Sequence, residues 1–71
     1  MLHAGLYKHI HNTDVALEIK GIRKTKDGIR VIGYWVNIVN PKNLYKCTDL
    51  IVEFIKNKDI KNWNKYDGRR K

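Results

Sequence analysis

The chain has 71 residues, a formal net charge of +8 and a hydrophobic content of 42%. That length allows a single small domain, which at this size buries about 60% of its unfolded-chain surface and leaves little room for a deep substrate pocket beside a core. The apolar content excludes a wholly disordered basic tail, the lone Cys47 excludes an intrachain disulfide framework, and no apolar run approaches the roughly 18 residues of a membrane span.

The N-terminal Met1-Leu2-His3-Ala4-Gly5 has neither a charged nor an apolar leader region, so no signal peptide is expected and the cytoplasm (the host's, for a viral protein) is the expected location. The residues from Gly5 to His11 alternate and predict a short strand, with Asn12-Thr13-Asp14 as the turn that follows. Next come two runs rich in Val, Ile, Tyr and Trp, from Val15 to Lys26 and from Ile29 to Asn40, separated by Asp27-Gly28. Asp-Gly between such runs predicts a β-hairpin with a type I′ turn, in which both central residues take positive φ.

With Asp27 and Gly28 as the two loop residues, Leu17 faces Ile38, Ile19 faces Val36, Gly21 faces Tyr34 and Arg23 faces Ile32 on one apolar side. The other, mixed side pairs Glu18 with Asn37, Lys20 with Trp35, Ile22 with Gly33 and Lys24 with Val31. Gly21 and Gly33 interrupt the strands midway and suggest a bend or bulge of the kind small barrels use to close.

Asn40-Pro41-Lys42-Asn43 reads as a loop. The segment from Thr48 has two readings. As a strand, Leu50, Val52 and Phe54 point one way and Ile51, Glu53 and Ile55 the other; as a helix, Thr48 is the N-cap and Ile51, Phe54 and Ile55 form a stripe. The Val and Ile content favours the strand. The residues from Asn57 to Trp63 predict a single 3₁₀ turn with Ile60 and Trp63 on one side, and Asn64 to Asp67 a last short strand. Residues 1–67 are thus expected to form one domain, and Gly68-Arg69-Arg70-Lys71 a basic, flexible end.

This order of elements resembles the SH3-like small barrel, including its 3₁₀ turn before the last strand. The resemblance spans nearly the whole chain, rests on topology and includes no diagnostic motif. It implies a mostly β, five-stranded barrel; the alternative is an α+β fold with a helix from about Thr48. The stretches Gly33-Tyr34-Trp35-Val36-Asn37-Ile38 and Ile60-Lys61-Asn62-Trp63 also resemble the short Lys-, Asn- and Ile-rich accessory proteins of T4-like phages, among them modifiers of suppressor transfer RNAs. That resemblance implies a tRNA partner or a role in modulating a host protein.

The positive charge is unevenly placed. Residues 1–22 carry two basic and two acidic side chains, whereas residues 23–47 carry Arg23, Lys24, Lys26, Arg30, Lys42 and Lys46 against Asp27 alone. Such asymmetry favours a polyanionic partner, and excess charge also serves solubility. Catalytic and metal sites are poorly supported. His9 and His11 share a strand face, with His3 and Cys47 as further ligands, but the paired spacing of zinc sites is missing. Cys47 beside Lys46 lacks an evident base and reads more simply as a small core residue. The carboxylates are scattered, and the glycines match neither a P-loop nor a dinucleotide fingerprint, so neither a cofactor nor an enzymatic activity is expected.

The remaining functional signal is basic residues interleaved with aromatics. Lys20, Arg23, Lys24, Lys26 and Arg30 of the hairpin, with Trp35 as a stacking ring, are the expected nucleic-acid contacts, and Trp35 has core burial as its alternative. Lys42, Lys46, Arg69, Arg70 and Lys71 are the expected supporting cations. The sequence therefore predicts a non-enzymatic domain that binds RNA, tRNA or another structured RNA, with a protein-interaction module for an acidic host protein as the second reading.

Overall fold

Strands dominate residues 2–67, the part of the chain that the computed structural model describes. In chain order they are β1 (Gly5–His9), β2 (Val15–Lys24), β3 (Gly28–Asn37), β4 (Tyr45–Lys46), β5 (Ile51–Lys56) and β6 (Trp63–Lys65), with a 3₁₀ segment, Asn57–Asn62, between the last two. All pairings are antiparallel within one sheet of order β4-β3-β2-β1-β6, and β5 lies beside β4 on the same edge of β3. The mostly β architecture and the 3₁₀ piece before the last strand agree with the sequence reading. The sheet has six strands rather than five and does not close, because β5 pairs with β3 and β6 with β1 but not with each other.

The helix considered from Thr48 does not form. The Thr48 hydroxyl accepts a hydrogen bond from the Trp35 backbone N–H at 3.1 Å, and the Cys47 N–H donates to the Trp35 carbonyl at 2.8 Å. Those bonds hold the segment against β3, and the β-branched run that follows pairs from Gly33↔Ile51 to Gly28↔Lys56.

The central hairpin forms where expected but in a different register. Lys24 pairs with Ile29 and Arg23 with Arg30. Among the described residues only Gly5 has positive φ, so the turn is not type I′. Thr25 makes it instead. Its N–H donates to the Gly28 carbonyl at 2.8 Å, its hydroxyl donates to the same oxygen at 3.0 Å, and that hydroxyl accepts from the Gly28 N–H at 3.1 Å. A threonine hydroxyl can both donate and accept, so it closes a longer loop without left-handed backbone.

Further along, the register shifts between Ile19 and Gly21, and Lys20 is the extra residue of a β-bulge. Beyond the bulge the alternation of β2 is reset. Leu17, Ile19 and Ile22 all serve the main core, whereas Arg23 points to the opposite face. An unbulged strand would have put Arg23 beside Ile19.

The main core contains Leu2, Tyr7, Leu17, Ile19, Ile29, Val31 and Ile55, closed by the partly buried Ile22, Trp35, Ile60 and Trp63. The 3₁₀ segment is what brings Ile60 and Trp63 under this face, and the Trp35 and Trp63 rings lie 6.2 Å apart. Each fully buried aliphatic such as Leu17 contributes about 1.5–3 kcal/mol. A smaller cluster, Ala16, Val36 and Ile38 with Leu6, Tyr34, Leu44 and Tyr66 against it, covers one end of the opposite face.

Two glycines are required by close approach of neighbouring backbone. A Cβ at Gly33 would overlap the Glu18 carbonyl oxygen and lie 2.9 Å from its carbonyl carbon; one at Gly28 would overlap the Ile55 carbonyl oxygen and lie 2.9 Å from the Lys56 Cα. Gly21 has nothing within 4 Å of the same position. Gly33→Ala and Gly28→Ala are therefore expected to destabilise the fold by about 2 kcal/mol or more, as backbone must move. Gly21→Ala is expected to be neutral or to stabilise by about 0.4–1 kcal/mol. Urea midpoints rank the three, and Gly21→Ala emerging as the worst would contradict the observed pairing.

Candidate nucleic-acid interface

Strand alternation distributes the basic residues between two faces. Arg23 lies directly across from Arg30, and Arg30 lies across from Phe54 of β5 on its other side. These three side chains share the face that points away from the main core. The next rung of that face is Gly21, Ile32 and Val52. Ile32, Val52 and Phe54 are 45%, 59% and 43% exposed, so no other described residue covers them. Arg23, Arg30, Ile32 and Val52 line an open depression of about 380 Å³ together with Gly21 and Ile22. Neither arginine forms an ion pair with a described carboxylate.

Two further cations reach the same face. The bulge residue Lys20 places its ammonium 5.8 Å from the centre of the Tyr34 ring, and Lys46 of β4 approaches the same ring at 5.2 Å. Contacts of this kind contribute about 0.5–1 kcal/mol at exposed sites. Tyr34 is four residues from Arg30 along β3, about 13 Å at the usual strand rise. Glu18, opposite Tyr34, is the acidic side chain on this face of β2.

The other expected contacts do not join this group. Lys24, across from Ile29, lies on the core side and lines an apolar cavity of about 370 Å³ with Leu2, Ile22, Ile29 and Ile60. Lys26 is exposed at the hairpin tip, where its carbonyl accepts from the Asn57 side-chain amide at 3.3 Å. Lys42 is exposed in the loop after β3, with its N–H on the Asn40 side-chain oxygen at 3.0 Å. Trp35 pairs with the fully buried Leu17 and packs against the main core beside Trp63, so it takes the core role rather than that of an exposed stacking ring. Arg69, Arg70 and Lys71 lie outside the described residues. Sequence reasoning missed Ile32, Tyr34, Val52 and Phe54 as parts of a surface. The alternation of Val52 and Phe54 was visible, but not which side of β5 the core would take.

The histidines and Cys47 are arranged differently from a metal or nucleophile set. The His9 Nδ1 accepts the His11 backbone N–H at 3.2 Å, so its proton resides on Nε2, which donates to Asp59 at 3.1 Å. Asp59 also accepts from the Asn62 amide at 2.7 Å and from the Trp63 indole at 3.3 Å. Both His9 nitrogens are thus engaged, Nδ1 with the local His11 backbone and Nε2 with Asp59, which ties the 3₁₀ segment to β1 and, through the Trp63 indole, to β6. The Cys47 thiol is exposed, with the Tyr45 carbonyl 3.9 Å away. Among the described residues no three His, Cys, Asp or Glu side chains are grouped to hold a metal ion, and no helix is long and apolar enough to cross a membrane.

Comparison with protein-family models, curated proteins and solved structures finds no match.

The Asn62 amide, followed by the His9 ring, holds the Asp59 carboxyl below the ordinary aspartate range. A carboxylate with a folded pKa below its unfolded value of about 3.9 stabilises the fold above that value, and the effect fades as pH falls through the folded pKa. Asp59→Ala should therefore be less stable than the parent at pH 5, and the gap should narrow as pH falls below the unfolded value of about 3.9. Denaturant midpoints from pH 5 to 2 test this, and a constant gap would show that the carboxylate's charge plays no part.

Proposed function

We propose that this chain is a non-enzymatic RNA-binding domain of the cytoplasm that engages a structured RNA, such as a tRNA, through the β2–β3–β5 face. The observation that carries this reading is the Arg23–Arg30 pair: two like charges directly opposite each other, without a described carboxylate partner, at the rim of an apolar depression. Directly opposed like charges in a sheet are destabilising, by up to about 1 kcal/mol. An RNA phosphate set between them turns that repulsion into charge-assisted hydrogen bonds, for which the guanidinium fork is well shaped. Lys20 and Lys46 add positive charge further along the same face. The exposed apolar rung of Ile32 and Val52 between the two cationic ends suits nucleobases better than a uniformly polar ligand.

The second reading is a module that binds an acidic protein, and the free edge of β5 favours it. Among the described residues this strand pairs only with β3, which leaves a row of backbone groups open to strand addition. Capture of a protein partner that survives nuclease treatment would support this reading over the first.

The double variant Arg23→Gln, Arg30→Gln separates the two contributions of the pair. RNA affinity is expected to fall at least about tenfold, as charge-assisted hydrogen bonds are each worth about 1.5–3 kcal/mol. The dependence of log affinity on log salt should become shallower by about 0.7 for each single-strand phosphate that the variant no longer neutralises. Unfolding stability should stay level or rise once the repulsion is removed. Gel-shift titrations between about 50 and 200 mM salt read the first two effects, and unchanged affinity with an unchanged slope would remove the basis of the proposal.

A further inference from the structure

We infer that the RNA element received by this face is unpaired, with a base stacked on Phe54 and its phosphate held by Arg23 and Arg30. The inference rests on the RNA-binding reading and adds the form of RNA recognised. Duplex RNA encloses the flat faces of its bases and turns phosphates and ribose hydroxyls outward. Against such a surface Ile32, Val52 and Phe54 would desolvate polar groups and give them no partner. An unpaired base has an exposed π-face, which an aromatic ring on a sheet can stack against whatever the base.

The geometry fits that use. Phe54 is the direct cross-strand neighbour of Arg30, which in turn faces Arg23, so an aromatic platform and a two-guanidinium anion site occupy one rung. The outward residues of β5 are Val52, Phe54 and Lys56, while Glu53 belongs to the alternate side, so this part of the face has no acidic strand residue. On the flank toward the 3₁₀ segment, Phe54 borders a second depression lined also by Lys56, Lys58 and Asp27. At the far end of β3 the two ammoniums over Tyr34 provide another cationic point about 13 Å away. Apolar side chains thus lie between cations, as a short single strand with its bases toward the sheet requires.

The probes are a labelled 12-nucleotide oligouridylate and the duplex formed by the same strand with oligoadenylate, titrated against the full chain by fluorescence anisotropy. The single strand should bind at least about tenfold more tightly than the duplex. Phe54→Ala should weaken single-strand binding by about tenfold and leave the salt slope unchanged, since the ring touches a base and not a phosphate. Phe54→Tyr should restore binding, and Phe54→Leu, which keeps apolar bulk without a π-face, should not. Tryptophan fluorescence of each variant checks that Trp35 and Trp63 remain packed. Duplex binding as tight as single-strand binding, or a folded Phe54→Ala that binds normally, would overturn the inference while leaving the RNA reading in place. Failure of both probes to bind at low salt would count against the RNA reading itself.

Discussion

The fold depends on β3 being paired along both edges. Its residues from Ile29 to Gly33 lie between β2 and β5, and the strand ends against β4. Backbone packed that closely on two sides has no space for a side chain at the tightest points, which is why Gly33 meets the Glu18 carbonyl and Gly28 the Ile55 carbonyl. Val31, midway between those glycines, is fully buried, with Ile29 beside it in the same core. Loss of the Gly28 approach would loosen β5 from the sheet, and with it the 3₁₀ segment that brings Ile60 and Trp63 to the core, whereas loss of the Gly33 approach would part β3 from β2.

The bulge at Lys20 decides how this architecture meets solvent. By adding one residue between Ile19 and Gly21 it keeps Ile22 with the core while turning Arg23 outward to Arg30. The same residue supplies an ammonium to the Tyr34 ring. One local irregularity therefore serves the core and assembles the cationic face. It also opposes two arginines without internal compensation, an arrangement that stability alone would not favour. Local rules are most often broken where a surface is used, which gives the Arg23–Arg30 pair its weight.

Much of the fold was legible because strand signals are local. The β-branched runs around residue 27, the Asn-Pro loop and the spacing of Ile60 and Trp63 all lie where the chain forms strands, loop and 3₁₀ segment. The register was not legible. Asp27-Gly28 is a strong turn signal, yet Thr25 outcompeted it by satisfying both polar groups of Gly28 from its hydroxyl. Gly28 instead serves a contact with β5, a strand more than twenty residues away in sequence. That shift and the bulge rearranged the expected faces, so Lys24 and Trp35 went to the core side while Arg23 left it. Of the expected contacts, Lys20, Arg23, Arg30 and Lys46 are gathered on one face; the apolar residues between them could be identified only once the side taken by β5 was known.

A chain this short cannot cover both sides of a six-stranded sheet. The main core takes one side, and Tyr34, Leu44 and Tyr66 shelter Ala16, Val36 and Ile38 at one end of the other. Among the described residues the end formed by β5 and the first half of β3 has no second layer, and Ile32, Val52 and Phe54 remain open to water. Exposed apolar residues beside a free sheet edge ordinarily invite self-association. Here they are bordered by Arg23, Arg30 and Lys56, so two copies approaching through this face would bring like charges together. The same charges attract a polyanion. A surface that repels its own copy and favours a negatively charged ligand with flat apolar parts is selective in the sense a binding domain requires, and it follows from which residues the bulge and the two glycines place on the outside.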